Sequence, residues 1–456
     1  MKKMNIENCK DLLPLLREGV LLRAHENRSS HLTMENGILV CKESDSSSGV
    51  SALVRRGHSV FFGSAPGINS VSAEKAMDTA IALSTSCRDC FPIPALESMK
   101  GEYFSVGKSV GTAEKLGFMR SVDEYIAARS KRIIGRMIDL GELSMDKFIA
   151  CDEGISFRSL NMRWSLTVSV MSETPDGDTV SCEALLSGEG TADSVISLPQ
   201  KLRERLDSLV EAVEKKRFGK KVSAGKTVCI LAPDPACMLV HEAIGHTTEG
   251  DMVLSGSAAM RLHGKKIASD IVTLGDFATE MCGEKVPQPI YIDDEGVRAR
   301  DAMIIENGIL TGYMHDRDSA AVCNCAPTGN ARAFEYKDTP IIRMRNTCIM
   351  PGNSTLEQMI SSVDDGLYLV QAGMGQADTT GEFMIAIIDG YRIKNGKLED
   401  AIMDTVCTGR AFEMMQTVDM IGDTIGWDVG GLCGKGQPMV TAAGSPALRC
   451  KITIGG

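Results

Sequence analysis

The sequence predicts an α+β fold in two domains, an N-terminal mixed sheet-and-helix domain over residues 1–220 and a C-terminal, mainly antiparallel β domain over 221–456. Three observations predict it. The 456 residues exceed what one hydrophobic core usually organises. Apolar patterns of period 2 and period 3.6 are mixed along the chain without strict βαβ alternation, which favours α+β. A highly charged helical stretch at 199–221 separates a first part that contains helices from a second part dense in hairpin signals.

The elements follow in order. Apolar runs around Leu32 and at 38–40, 50–54 and 60–62 are punctuated by Asn36-Gly37 and Arg56-Gly57, the pattern of a small β meander. Ala73, Ala76, Met77, Ala80 and Ile81 recur at helical spacing and predict a helix over one sheet face. A second helix is expected to start at Ser121, with Glu124 closing a capping box, and to stop at Gly141. Strands are expected over 147–171 and 179–186, the last two separated by the turn Pro175-Asp176-Gly177. Leu202, Leu206, Leu209 and Val213 mark a helix at the domain junction. Beyond it a strand at 227–232 enters one short helix, and Asn307-Gly308 and Asn395-Gly396 sit between apolar runs as hairpin turns.

Composition narrows the function. Hydrophobic residues at 43% and charged residues at 24% are those of an ordinary soluble globular protein. A net charge of −11 argues against nucleic acid as the main partner, because phosphate binding needs clustered lysine and arginine. No run approaches the roughly 18 apolar residues of a membrane helix, so no membrane partner is expected. The opening residues become charged at Glu7, Lys10 and Asp11 where a signal peptide needs an apolar stretch. Fifteen cysteines are scattered without the short spacings of a secreted disulfide scaffold, which points to a reducing cytoplasm. Cys87 and Cys90 form a single CxxC pair that lacks the second half of a structural zinc site.

The segment 232–250 carries the chemistry. Asp234 is expected as N-cap and Pro235 as first residue of a helix that Gly250 ends. Ala236, Leu239, Val240 and Ala243 form its buried stripe, with His241 at the stripe's edge. His241 and His246 offer imidazoles to a zinc ion, and Glu242 offers a carboxylate able to take a proton from water that the metal acidifies. The spacing is HExxxH. On a regular α-helix it sets the second histidine about 140° around the axis from the first, against about 40° for HExxH. A π-bulge or a distortion at Gly245 is therefore required to bring both onto one metal. Two ordinary histidines on a core helix is the plain alternative. A third ligand is needed, and spacing does not choose among His263, His315, Glu249, Asp251 and the cysteines.

HEAIGHTTEGD at 241–251 after a strand resembles the TldD branch of the TldD/PmbA peptidase family. YIDDEG at 291–296, IENGILTGYM at 305–314, PTGNARA at 327–333 and GLCGKGQPM at 431–439 are similar to family segments in family order. The resemblance covers the second domain well and the first loosely. It implies a zinc-dependent peptidase with one zinc per chain on His241, His246 and Cys433, and Glu242 as general base. It also implies a dimer, either of this chain with itself or with a PmbA-like subunit, that admits only flexible or unfolded peptides. Glycines at 430, 431, 434 and 436 suit a close approach of the Cys433 backbone. Asp293, Asp294 and Glu295 read as a polar turn before Gly296. The rival readings are a non-catalytic scaffold subunit with structural zinc and a thiol-redox protein.

Overall fold

The computed structural model of the chain describes residues 6–88, 91 and 94–455. The expected meander is present as β1 (Val20–Glu35), β2 (Ile38–Arg56) and β3 (Ser59–Pro66), successively antiparallel. Asn36 and Gly37 join the first two with φ of 47° and 79°, the left-handed pair that a tight type I′ turn demands. With β4 (Lys100–Phe104), β5 (Ile133–Cys151), β6 (Ile155–Glu173) and β7 (Thr179–Glu189) they form a seven-stranded sheet. Its order is β3-β2-β1-β5-β6-β4, with β7 also paired to β6 and β4 parallel to it.

Helices cover this sheet where the periodicity implies. α1 (Ser70–Ser84) buries Ala73, Ala76, Met77 and Ala80 in a cluster with Val50, Ala52 and Val54. α2 (Thr112–Arg129) and α3 (Gln200–Lys216) bury Phe118, Val122, Ile126, Leu202, Leu206 and Val213 against Met34, Ile138 and Val168. The expected start of the second helix is corrected. Glu114, not Glu124, closes the box by accepting from the Gly111 backbone at 3.0 Å, and Ser121 lies inside the helix, donating to the Phe118 carbonyl. Gly141 sits within β5 because 133–151 pairs with β6 and 137–150 with β1.

The second sheet has eleven strands over 225–455. Five of them close on themselves: β8 (Gly225–Leu231) pairs with Asp365–Ala377, which pairs in turn with Glu382–Lys394, Thr405–Arg410 and Ala442–Gly455, and the last returns to β8. Most pairings are antiparallel, but Asp365–Ala377 runs parallel to β8 and Asn346–Ile349 parallel to Ala442–Gly455. Long crossovers separate these partners, which is what parallel pairing needs. Asn307-Gly308 and Asn395-Gly396 have φ of 49° and 80°, and 48° and 73°, as hairpin turns require.

Asp293, Asp294 and Glu295 do more than make a turn. Asp293 accepts from the backbone of Glu295 and Val297 within the turn and from that of Ala331 on a distant segment. Asp294 pairs with Lys147 at 2.7 Å and Arg23 at 3.3 Å, and Glu295 pairs with Arg55, so two buried carboxylates join the second unit to three cations of the first sheet. Among the described residues no helix is long and apolar enough to cross a membrane.

Candidate metal centre

From β8 the chain passes directly into α4 (Pro233–Leu239). Ala232 is the N-cap and Pro233 the first helical residue, two residues earlier than the sequence suggests. Asp234 is consequently inside the first turn, where its carboxylate accepts from the Ala372 backbone at 2.7 Å and pins the neighbouring strand. Burial raises this carboxyl to about 6. Ala236, Leu239, Val240 and Ala243 are fully buried, as the periodicity requires, so the element that follows is rigidly seated.

The helix then widens. Val240–Gly245 is a π turn, in which the backbone N–H of His246 donates to the carbonyl of His241, and His246–Thr248 tightens into a 3-10 turn. The five-residue bond stacks residues five apart on one side, which an α-helix does not do. The two imidazoles meet edge to face with ring centroids 5.0 Å apart. Carbonyls loosened by the change of pitch are satisfied by Thr247 and Thr248, whose hydroxyls donate to Ala243, Ile244 and Gly245 at 2.9–3.0 Å. Gly245 has ordinary right-handed angles (φ −55°, ψ −60°), so its lack of a side chain serves space. A Cβ there would lie 2.1 Å from Met344 Sδ. Gly250 opens a further helix, α5 (Gly250–Leu254), instead of ending the first.

Cys433 arrives on a hairpin formed by Leu432–Lys435 and Gln437–Val440, with Gly436 at φ 70° in the turn. Arg343 holds both sides of that turn, donating to the carbonyls of Cys433 at 2.6 Å and Gln437 at 2.7 Å. The Cys433 Sγ lies 3.1 Å from His246 Nε2. One donor atom each from His241, His246 and Cys433 falls within 4.8 Å of the others. A tetrahedral zinc with bonds of about 2.0–2.3 Å holds its donors roughly 3.3–3.8 Å apart, so this set needs only small side-chain adjustments.

The electrostatics suit a cation. Burial and the charge of His246 push the His241 imidazole down to about 3. Burial alone would lower His246 as well, yet the Cys433 sulfur and the Glu249 carboxylate raise it to about 10. Electron-pair donors thus converge around one proton, and a divalent cation binds such a set by displacing it. Glu242 is half-buried beside His241 and makes no hydrogen bond to another described residue; burial pushes its carboxyl above the usual range, opposed by His246. Such an uncommitted carboxylate of raised basicity is able to accept a proton.

The other candidate ligands lie apart. His263 contacts the Thr311 carbonyl, His315 contacts the Ser319 hydroxyl, and Asp251 pairs with Lys435. Glu249 approaches His246 from the ring edge opposite Cys433, a contact that its place three residues after His246 signals. The Cys87–Cys90 pair lies outside the described residues, because Cys90 does. The PTGNARA segment braces the centre: Arg332 donates to the carbonyls of Met344 and Val440, and Asn330 to Asp276, which pairs with the buried Arg345.

Residues 224–456 match the family described as the PmbA/TldA metallopeptidase C-terminal domain. A zinc metalloprotease TldD homolog of Saccharolobus solfataricus is 32% identical over 296 residues, covering 64% of this chain and 65% of that one. A metalloprotease TldD homolog of Buchnera aphidicola is 39% identical over 224 residues, 48% of this chain and 46% of that one. The chain thus spans about half to two-thirds of the length of these curated relatives. In fold it is similar to a putative modulator of a DNA gyrase from Thermotoga maritima, with TM-score 0.79 and 18% identity over 99% of this chain and 100% of that one. TldE from Thermococcus kodakarensis gives TM-score 0.75 and 14% identity over 99% of both.

Proposed function

The chain belongs to the PmbA/TldD metallopeptidase family, and from that premise we propose that it is a zinc-dependent peptidase acting on flexible or unfolded peptides. The observation that carries the reading is the convergence of His241, His246 and Cys433 within 4.8 Å, with Glu242 on the same turn. These three residues would hold one zinc per chain and leave a fourth position open. Bound there, zinc supplies a Lewis acid that polarises the substrate carbonyl and makes water more acidic.

The chain's own groups do the rest. Glu242 takes the proton of the attacking water and passes it to the leaving amine, a double role that its raised basicity and lack of a fixed partner favour. The α4 core and the Arg343 clamp keep the donors in place during that exchange. An extended peptide would add along a sheet edge near the centre, recognised through its backbone. A dimer, with itself or with a PmbA-like subunit, would screen the site from folded proteins in the cytoplasm.

Tag-free protein purified without chelators tests the reading. Elemental analysis is expected to return one zinc per chain, and chelation to abolish cleavage of an unstructured peptide until zinc is restored. Light scattering is expected to give at least a dimer, alone or with a PmbA-like partner. A zinc-free monomer that cleaves peptides at full rate would overturn all three parts.

A further inference from the structure

After the 3-10 turn the backbone at Glu249 is extended (φ −69°, ψ 130°) and bridged to Met314, with Met314 N–H on the Thr248 carbonyl at 3.1 Å and Gly250 N–H on the Met314 carbonyl at 2.8 Å. The side chain that starts from this fixed point is fully buried. Its Oε2 accepts from His246 Nδ1 at 3.1 Å and from Lys435 Nζ at 2.9 Å. Lys435 also reaches Asp251 at 2.7 Å and the Ile342 carbonyl at 3.1 Å, so all three ammonium protons have acceptors. Lys435 stands two residues beyond Cys433 on one strand, and side chains two apart on a strand share a face. That face of the hairpin presents both a candidate zinc ligand and this ammonium.

We propose that Glu249 and Lys435 are positioning residues for the metal centre: Glu249 fixes the ring and tautomer of His246, and Lys435 ties that carboxylate to the hairpin carrying Cys433. A carboxylate oxygen accepts, so the proton shared with Glu249 stays on Nδ1, and Nε2, which faces Cys433 and the metal position, is the nitrogen that would exchange its proton for the metal. Without Lys435 the same carboxylate would be a buried charge on one imidazole contact, and the hairpin would lose its tie to residues 249–251. The ligands come from segments 187 residues apart, and this clasp sets their spacing before metal arrives. The inference rests on the zinc reading above.

Zinc affinity measured by competition with a fluorescent chelator, rather than by activity, tests it. Glu249→Ala and Lys435→Met are each expected to weaken zinc binding about 10- to 100-fold, the usual effect of losing an outer partner of a metal-bound histidine. The double variant is expected to fall well short of the product of the two losses, because both act through one contact. Lys435→Arg, which keeps the charge, is expected to stay within a few-fold of the intact chain. Should Glu249→Ala not fold, Glu249→Gln, which keeps the side chain's size, carries the test with Lys435→Met. Folded Glu249 and Lys435 variants that bind zinc as tightly as the intact chain would overturn the positioning role alone. Failure of the intact chain to bind zinc would overturn the zinc reading and this proposal with it.

Discussion

Single residues at the centre act through the segments they fasten. Arg343 is fully buried and spends two donors on the turn that presents Cys433, while Asp234 spends its carboxylate on the Ala372 backbone beside the histidine helix. A ligand held by such a frame has little freedom to lose on binding, so its deletion is felt directly in affinity. Cys433→Ala is therefore expected to lower zinc occupancy sharply after dialysis, since two imidazoles and water hold zinc weakly. Unchanged occupancy by elemental analysis would mean that another residue is the third ligand. His241, Glu242 and His246 were legible as a motif because their spacing is short. Cys433 was legible only through the family resemblance: it stands 187 residues from His246, and the glycines around it permit a close approach without marking a ligand. Arg343 and Lys435 carried no local signal, since their roles exist only after the hairpin folds over the helix.

At the scale of elements, the change from α4 to a π turn lets a five-residue spacing place two imidazoles side by side. The need for a distortion follows from the spacing alone; of the two forms expected, the π-bulge is present, and Gly245 keeps ordinary helical angles. That glycine makes room for Met344. Gly245→Ala is expected to force Met344 aside, destabilise the fold by about 1–3 kcal/mol and shift His246, lowering zinc affinity as well. Denaturant unfolding and zinc competition check it, and a variant equal to the intact chain in both would show that Met344 yields freely. The boundaries of α2 differ from the sequence expectation because local signals there compete with long-range pairing. Ser121 and Glu124 imitate a capping box, and 133–141 carries apolar residues at mixed spacing, yet long pairing with β1 and β6 makes that stretch a strand. Local signals specified the turns at Asn36, Asn307 and Asn395 well, because a left-handed residue pair is a backbone requirement that sequence states directly.

For the whole molecule, the α+β class was readable from mixed periodicities, whereas the ring closed by β8 and the clasp at 293–295 depend on contacts between distant segments. The clasp makes cohesion of the two units sensitive to acid. Burial would raise the Asp294 carboxyl, but Lys147 and Arg23 hold it well below the usual carboxylate range. A carboxyl depressed in the folded state contributes stability in full above its unfolded pKa of about 3.9, and loses it as pH falls toward the folded value. Asp294→Asn is expected to cost about 3–5 kcal/mol near neutrality by leaving buried cations unpaired, and the gap from the intact chain to narrow below about pH 4. Urea unfolding from pH 7 to pH 3 checks the trend, and a gap constant across that range would contradict it. The two units and their joined arrangement frame the centre, whose proposed task is to cleave a peptide. Peptide hydrolysis by zinc-loaded Glu242→Gln, set beside the intact chain, tests that most directly. A loss of about 10²- to 10⁴-fold with zinc content unchanged is expected, because the substitution keeps the side chain's size and removes the base. Cleavage at the intact rate with zinc bound would contradict it.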